Sequence, residues 1–402
     1  MVDMAVTPST LVLRYADVGV ATYASLRVVG VPGTTVTWAI EDTALATVRD
    51  LLTDALPDPR RTETVREAIE RAITAGSFAT PAAEQSLAEL LGEHLIAAAG
   101  WQLIADQPTR SALFVAPTAR LAQVPWSVLA RPGGSRLLEL ADILMAAPAN
   151  IANATRTPVP WAQRRDGAPL LILDPRVPGQ RPDSALGSVL GRPDPDGPLT
   201  RHFAATMARR TVLPEVAEPV ELFRNPRADR GWLATQLTRG PSRLLFVGHA
   251  TAAAADTGHA ARAALHLADT EPLTAADLMA AGLPMPPRAA LLACSSGGDY
   301  RFDEATGLVA ALILGGAQVV TATLWSLPTT AGYRQFCGAA QESADPMCEA
   351  VIAVDTAHQA EDAGRAVNAW QRAQMNRWRA GDLTASPLYW AAVVTYTVDG
   401  SR

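Results

Sequence analysis

His249 and Cys294 are the two side chains in this chain whose setting could support covalent chemistry. Each follows a short apolar run. Leu244-Leu245-Phe246-Val247 stops at Gly248-His249, and Ala289-Ala290-Leu291-Leu292-Ala293 stops at Cys294-Ser295-Ser296-Gly297. Four or five apolar residues bounded by turn residues read as a buried strand. In open α/β sheets, ligands bind beyond the carboxyl ends of the strands. An imidazole and a thiol released at two such ends would share one edge. A thiol is a weak nucleophile until it becomes a thiolate, and a nearby imidazole favours that state. The pair, 45 residues apart from 249 to 294, predicts a nucleophile–base dyad.

The whole chain bounds the chemistry further. It has 402 residues, 49% apolar and 18% charged, with a net charge of −6. That composition is globular, and it carries no basic footprint for nucleic acid. Every basic residue is Arg, since the sequence has no Lys. A Walker-type phosphate loop and a Lys Schiff base are therefore excluded. No G-x-G-x-x-G pattern appears, which weakens a flavodoxin-like nucleotide-binding reading. The three cysteines, Cys294, Cys337 and Cys348, are too few for a disulfide framework and fit a reducing, cytoplasmic setting. Cys337 and Cys348 sit in helical patterns and read as structural. His259 and His266 follow the dyad His without metal-ligand spacing, so no metal and no cofactor is expected. Residues 1–10 lack the pattern of a signal peptide. The uncharged span 307–325 is long enough to cross a bilayer, but Gly315-Gly316 splits it into a helix (308–314) and a strand (318–324), so no membrane span is expected.

The elements that must position the pair come in an ordered series. Two strands lie within 11–29, a turn at 30–33 and a third strand at 34–39. Helices follow over 45–56, 62–75 and 81–99. A short strand at 113–116 precedes Leu121 and Pro125-Trp126. Residues 148–168 read as a linker, 170–173 as a buried strand, and the Pro/Gly/Asp-rich 175–200 as a long loop. Short helices are expected at 218–223 and 231–237, a second loop at 251–264, and a capped helix from Leu273. Further helices are expected at 333–340 and 363–379, and a closing strand at 389–397. From residue 170 strands alternate with helices, which predicts an α/β fold: a mainly parallel sheet with helices on both faces. No repeat of 20–50 residues is present.

With these residues in view, the chain resembles the CHAT family of caspase-like, separase-related cysteine peptidases. The resemblance is carried by the ordered set. Leu121 to Leu129 with its Pro-Trp step, Leu173-Asp174-Pro175, Leu213 to Glu218, Phe246 to Ala250, Leu292 to Gly297, Glu304 to Gly307, Gly315-Gly316-Ala317, Thr323-Leu324-Trp325 and Tyr389-Trp390-Ala391 follow the family's sequence of motifs. It spans roughly residues 10–402. Two positions depart from the family pattern. Ala250 stands where Gly usually follows the catalytic His, and Ser326 to Thr330 lacks an Asp that many relatives carry.

The resemblance implies a caspase-like active half, residues 166–402, preceded by an inactive-looking α/β half, residues 1–165. It implies a cysteine endopeptidase acting on a protein substrate, with His249 and Cys294 catalytic and the backbone N–H groups of Ala250 and Cys294 as the oxyanion hole. Asp299, Asp303 and Trp325 are candidate walls of the substrate pocket; the plainer alternatives are that Asp303 caps the next helix and that Trp325 is core. The resemblance also implies regulated action, with an activating or sensor partner or self-cleavage at 175–200 or 251–264, in prokaryotic immunity, antiviral defence or programmed death. The competing reading is a catalytically silent interaction module of the same fold.

Overall fold

Strict alternation makes the first strands. Leu11, Leu13 and Tyr15 of β1 (Thr10–Asp17) and Ala24, Leu26 and Val28 of β2 (Ala21–Val28) are buried, while the residues between them face outward. β3 (Thr35–Glu41) completes an antiparallel trio. The structure is a computed structural model. It describes residues 9–108, 110–181, 184–253, 259–301, 306–338, 343–398 and 400–401.

The remaining long strands are β4 (Ser111–Ala116), β5 (Ala141–Ala146), β6 (Leu170–Leu173) and β7 (Arg243–Val247). Three two-residue strands, β8 (Ala250–Thr251), β9 (Ala264–Leu265) and β10 (Leu273–Thr274), form a small antiparallel sheet of their own. β11 (Arg288–Leu292), β12 (Val319–Thr323) and β13 (Val393–Thr397) complete the main sheet. Its ten strands run in the order β3-β2-β1-β4-β5-β13-β12-β11-β7-β6. Every pairing from β1 to β6 is parallel except β12 with β13. β4 and β5 therefore run opposite to β6, β7, β11 and β12. The last strand of the chain joins the two halves into one continuous sheet.

Every residue of β6, β7, β11 and β12 is buried, as expected of strands covered on both faces. Helix Leu308–Leu314 packs on β12, Pro346–Ala357 on β11, and Ala363–Arg379 across β5, β13 and β12. Asn368 of that last helix bonds both the N–H and the carbonyl of Ile143, at 2.9 and 3.0 Å. It satisfies β5 where the ladder to β13 is short.

Several expected boundaries change. The span 307–325 divides as its glycines imply, and among the described residues no helix is long and apolar enough to cross a membrane. Tyr389 does not begin the closing strand: Ser386 caps a helical turn, Pro387–Trp390, with Pro at its start, and the strand begins at Val393. The loop expected over 175–200 gives way at Pro198–Met207 to a helix that the sequence pattern does not announce, and the same is true of β5 and Pro346–Ala357.

The two strands that carry the dyad are pinned at their opposite ends. Arg243 and Arg288 open β7 and β11, sit opposite each other in register, and are both buried. Arg243 is held by Asp355 at 3.0 and 3.1 Å. Arg288 donates to the carbonyls of His358 (2.9 Å), Ala360 and Glu361 and lies 3.9 Å over the Trp161 ring. His358, buried between these guanidiniums with Nε2 2.7 Å from Thr321 Oγ1, has its pKa pushed down to about 3, chiefly by burial and then by the two arginines. Below pH 6.5 the unfolded chain takes up this proton and the folded chain does not until about pH 3. Stability present above pH 6.5 is therefore lost as the pH falls through that window. Between pH 7 and 5 this group alone should remove about 2 kcal/mol of unfolding free energy. Urea titrations of the wild type and His358→Asn at both pH values should show the smaller loss in the variant; equal losses would contradict this account.

Candidate active site

The register of the sheet sets the ends of the two strands that precede His249 and Cys294 side by side. Val247 lies opposite Leu292, and the Gly248 N–H donates to the Leu292 carbonyl at 3.3 Å. Two residues further on, His249 and Cys294 leave adjacent parallel strands at the same height. Adjacent strands lie about 4.8 Å apart. The neighbouring strands end at the same edge, β6 at Asp174 and β12 at the segment Leu324 to Ser326.

After Cys294 the chain turns sharply. Ser295 has a left-handed φ of 50°, an uncommon conformation for a residue with a side chain. The turn is tied down on the β12 side. The Ser295 N–H donates to the Trp325 carbonyl at 3.2 Å, and the Gly297 N–H donates to the Thr323 carbonyl at 2.8 Å. The Ser296 hydroxyl donates to the Leu291 carbonyl at 2.8 Å and accepts the Thr323 N–H at 3.1 Å. A Cβ on Gly297 would meet the Thr323 oxygen at 3.2 Å, so glycine permits this approach. The turn is strained but held from several sides, as positioned nucleophiles are.

The His249 ring is partly buried, and its Nε2 lies 3.3 Å from the Gly187 carbonyl. A carbonyl only accepts, so Nε2 carries the proton and Nδ1 keeps the free lone pair. Gly187 is itself held. Arg224 donates to its carbonyl at 3.0 Å and to Asp174 at 3.3 Å, and Asp174 also accepts the Val189 N–H at 3.1 Å and the Ser188 hydroxyl. Asp174 and Arg224 both adopt left-handed φ values, 53° and 55°. Burial lowers the imidazole pKa, opposed by Gly187 and Asp174.

Cys294 as a residue is partly exposed, while its thiol is almost wholly surrounded by protein. Burial raises its pKa most, hydrogen bonds from the Ser326 side chain and the Leu327 N–H act in the other direction, and the Asp58 carboxylate raises it again. Burial thus acts against the charged form of each group. The ring is directed toward Gly187.

Ala250 opens β8 opposite Leu265, flanked by the bond from the His266 N–H to the His249 carbonyl at 3.0 Å. That places Ala250 at a non-hydrogen-bonded position of the ladder, with its own N–H directed away from β9. Its φ is not left-handed, so alanine fits where relatives carry glycine.

Two of the three expected pocket residues, Trp325 and Asp299, are buried. Trp325 is fully buried, stacks on Phe78 at 6.0 Å and donates its ring N–H to the Leu388 carbonyl at 3.0 Å, so it supports the groove from the core and does not wall it. Asp299 is 3% exposed, and its oxygens accept the N–H groups of Val309 (3.2 Å) and Ala310 (2.8 Å). The cap of helix Leu308–Leu314 is therefore Asp299, and burial raises its pKa to about 7. It sits at the back of a small cleft with Ala253, Ser295, Ser296 and Gly298. Asp303 lies outside the described residues. Among the described residues, no three His, Cys, Asp or Glu side chains converge as a metal would require.

Sequence alone does not single out Asp174, Arg224, Ser326 or Asp58 as site residues. Asp174 leaves one usable signal, as a charged residue ending a four-residue apolar run. Gly187 acts through a backbone carbonyl, which leaves no signal in a sequence.

Fold and site define an α/β protein with a mixed, mostly parallel sheet and a His–Cys pair at the carboxyl edge of its parallel half. The chain belongs to the CHAT-domain family, whose model matches residues 82–398. Among solved structures it is similar to two crystal structures of the Saccharomyces cerevisiae separase–securin complex. One has 12% identity and a TM-score of 0.47 over 97% of this chain, and the other 14% and 0.37 over 89%. The chain spans 30% and 23% of the lengths of those structures. A comparison with curated proteins finds no match.

Proposed function

We propose that this protein is a caspase-like cysteine endopeptidase cleaving a protein substrate, with residues 166–402 carrying the site and residues 1–165 supporting and regulating it. The observation that carries this reading is the register of β7 and β11, which sets His249 beside Cys294 at one strand edge. The imidazole, held as the Nε2–H tautomer by Gly187, takes the thiol proton on Nδ1 as sulfur attacks the scissile carbonyl. The negative charge passes to the carbonyl oxygen, where the N–H groups of Cys294 and Ala250 would receive it. The proton on His249 then goes to the departing amine. Burial acts against the charged form of both groups, which favours proton transfer during attack.

Regulated action in a cytoplasmic defence or death response, through a partner or self-cleavage, is the biological setting we infer from the family. A peptidyl acyloxymethyl ketone should label Cys294 and spare Cys337 and Cys348, and a diverse peptide library should yield a defined cleavage preference by mass spectrometry. Equal labelling of all three cysteines, with no peptide cut, would favour the silent interaction module.

A further inference from the structure

Two segments flank the pair and meet beside it. One follows β6: Gly187 sets its carbonyl 3.3 Å from His249 Nε2, and the chain runs on through Val189 and Leu190 to helix Pro198–Met207. The other follows β12: the Trp325 carbonyl ties the turn after Cys294, and the chain runs on through Thr329 into helix Thr330–Phe336. The Thr330 N–H donates to the Val189 carbonyl at 3.3 Å and joins the two.

A cavity of about 320 Å³ opens beside this junction, lined from both segments and floored by the first turns of Pro198–Met207 and Pro346–Ala357. Asp174 is part of its lining, and Arg224 bridges Asp174 to the Gly187 carbonyl, so cavity and imidazole share one hydrogen-bonded frame. The walls include Leu190, Pro193, Pro198, Leu199 and Phe223. The buried carboxylates are already engaged. Asp174 takes Arg224, the Val189 N–H and the Ser188 hydroxyl. Asp345 accepts the Thr330 hydroxyl and the Cys348 N–H, each at 3.0 Å, and pairs with Arg334 at 3.5 Å. Arg192 and Asp194 are exposed and of opposite sign. Residues 326–330 add no charge. A charged guest would lose its water and find no free counter-charge inside, whereas an apolar guest gains by burial.

We propose that this cavity is the specificity pocket of the peptidase: it receives an uncharged aliphatic or aromatic side chain next to the scissile bond, and Leu190, Leu199, Phe223 and Cys348 set its size. The proposal rests on reading the chain as a cysteine endopeptidase and names the substrate class that this reading leaves open. Mostly apolar walls with a few fixed polar groups are what a binding pocket of this volume presents. Asp299 supplies no competing acidic pocket, because both its oxygens are turned to helix Leu308–Leu314.

The test is the peptide-library cleavage profile of the full chain as wild type, Cys348→Phe and Ala331→Asp, with circular dichroism as the folding control. The wild type should prefer Leu, Met or Phe over Arg and Asp at one position next to the scissile bond, by at least about tenfold. Cys348→Phe fills the cavity floor and should move that preference to Ala or Val. Ala331 is an exposed lining residue in the first turn of Thr330–Phe336, where a carboxylate is tolerated. Ala331→Asp should therefore raise cleavage of Arg and Lys peptides at the same position about tenfold. A charged preference in the wild type, or a preference unmoved in both folded variants, overturns the proposal. Binding is read apart from cleavage by saturation-transfer NMR on Cys294→Ala. N-acetyl-leucinamide should show contact that is lost when Cys348→Phe is added, and N-acetyl-argininamide should show none. No leucinamide contact, or equal contact by both amides, overturns the proposal. The expected contact without any cleavage that depends on Cys294 would uphold the chemistry of the cavity and refute the nucleophile assignment, a separate failure.

Discussion

Replacing Cys294 by Ala should reduce peptide cleavage to background, a loss of at least about 10³-fold, while the chain remains folded. The Ser296 hydroxyl is spent inside the turn and offers no substitute nucleophile. Cys294 as a residue keeps some exposure, and only one heavy atom is removed, so the structural cost is small. His249→Ala should lose about 10²- to 10⁴-fold. The double variant should be little worse than Cys294→Ala alone, because base and nucleophile act as one unit. Steady-state cleavage of the best library peptide, with circular dichroism as the folding control, checks this. A Cys294→Ala protein that retains half its activity would end the dyad assignment.

The second large effect is expected at Asp174. Asp174→Ala removes the acceptor shared by the Val189 N–H, the Ser188 hydroxyl and Arg224; Ser188 keeps the Gly191 carbonyl, and the Val189 N–H loses its partner beside a buried strand end. Breaking a buried charged pair from one side costs about 3–5 kcal/mol. Arg224 keeps some exposure and its bond to Gly187, so about 2–4 kcal/mol is expected here. The same change loosens the carbonyl that sets the His249 tautomer, so kcat should fall in molecules that remain folded. Asp174→Asn keeps one acceptor and tolerates the left-handed φ, so it should fall between wild type and Asp174→Ala in both measures. Denaturant unfolding and kcat/KM report the two effects separately. If Asp174→Ala proves as stable and as active as the wild type, the 187–189 segment is not what holds the imidazole.

Which elements form is legible where local chemistry repeats. Ala363–Arg379 begins and ends where the helical pattern does, and the double glycine at 315–316 separates a helix from a strand. Thr274 opens its helix through a capping box with Asp277. Both dyad residues are visible because an apolar run stops on each. Elements without a strong local pattern are not visible. β5 is six residues with a charge at its second position, stabilised by β4 on one side and by β13 and Asn368 on the other. β8, β9 and β10 are two residues each and exist only as one another's partners.

The order of residues thus set the strands β7 and β11, their ends and the candidate side chains that follow them, because these depend on periodicity and on the residue type that closes an apolar run. The fold alone decided what surrounds those side chains. Gly187 beside the imidazole, Asp299 at a helix start ten residues away and Asp58 against the Ser326 N–H all depend on contacts that local pattern does not specify. Such contacts arise from packing and backbone hydrogen bonding, which a residue's type and near neighbours do not specify.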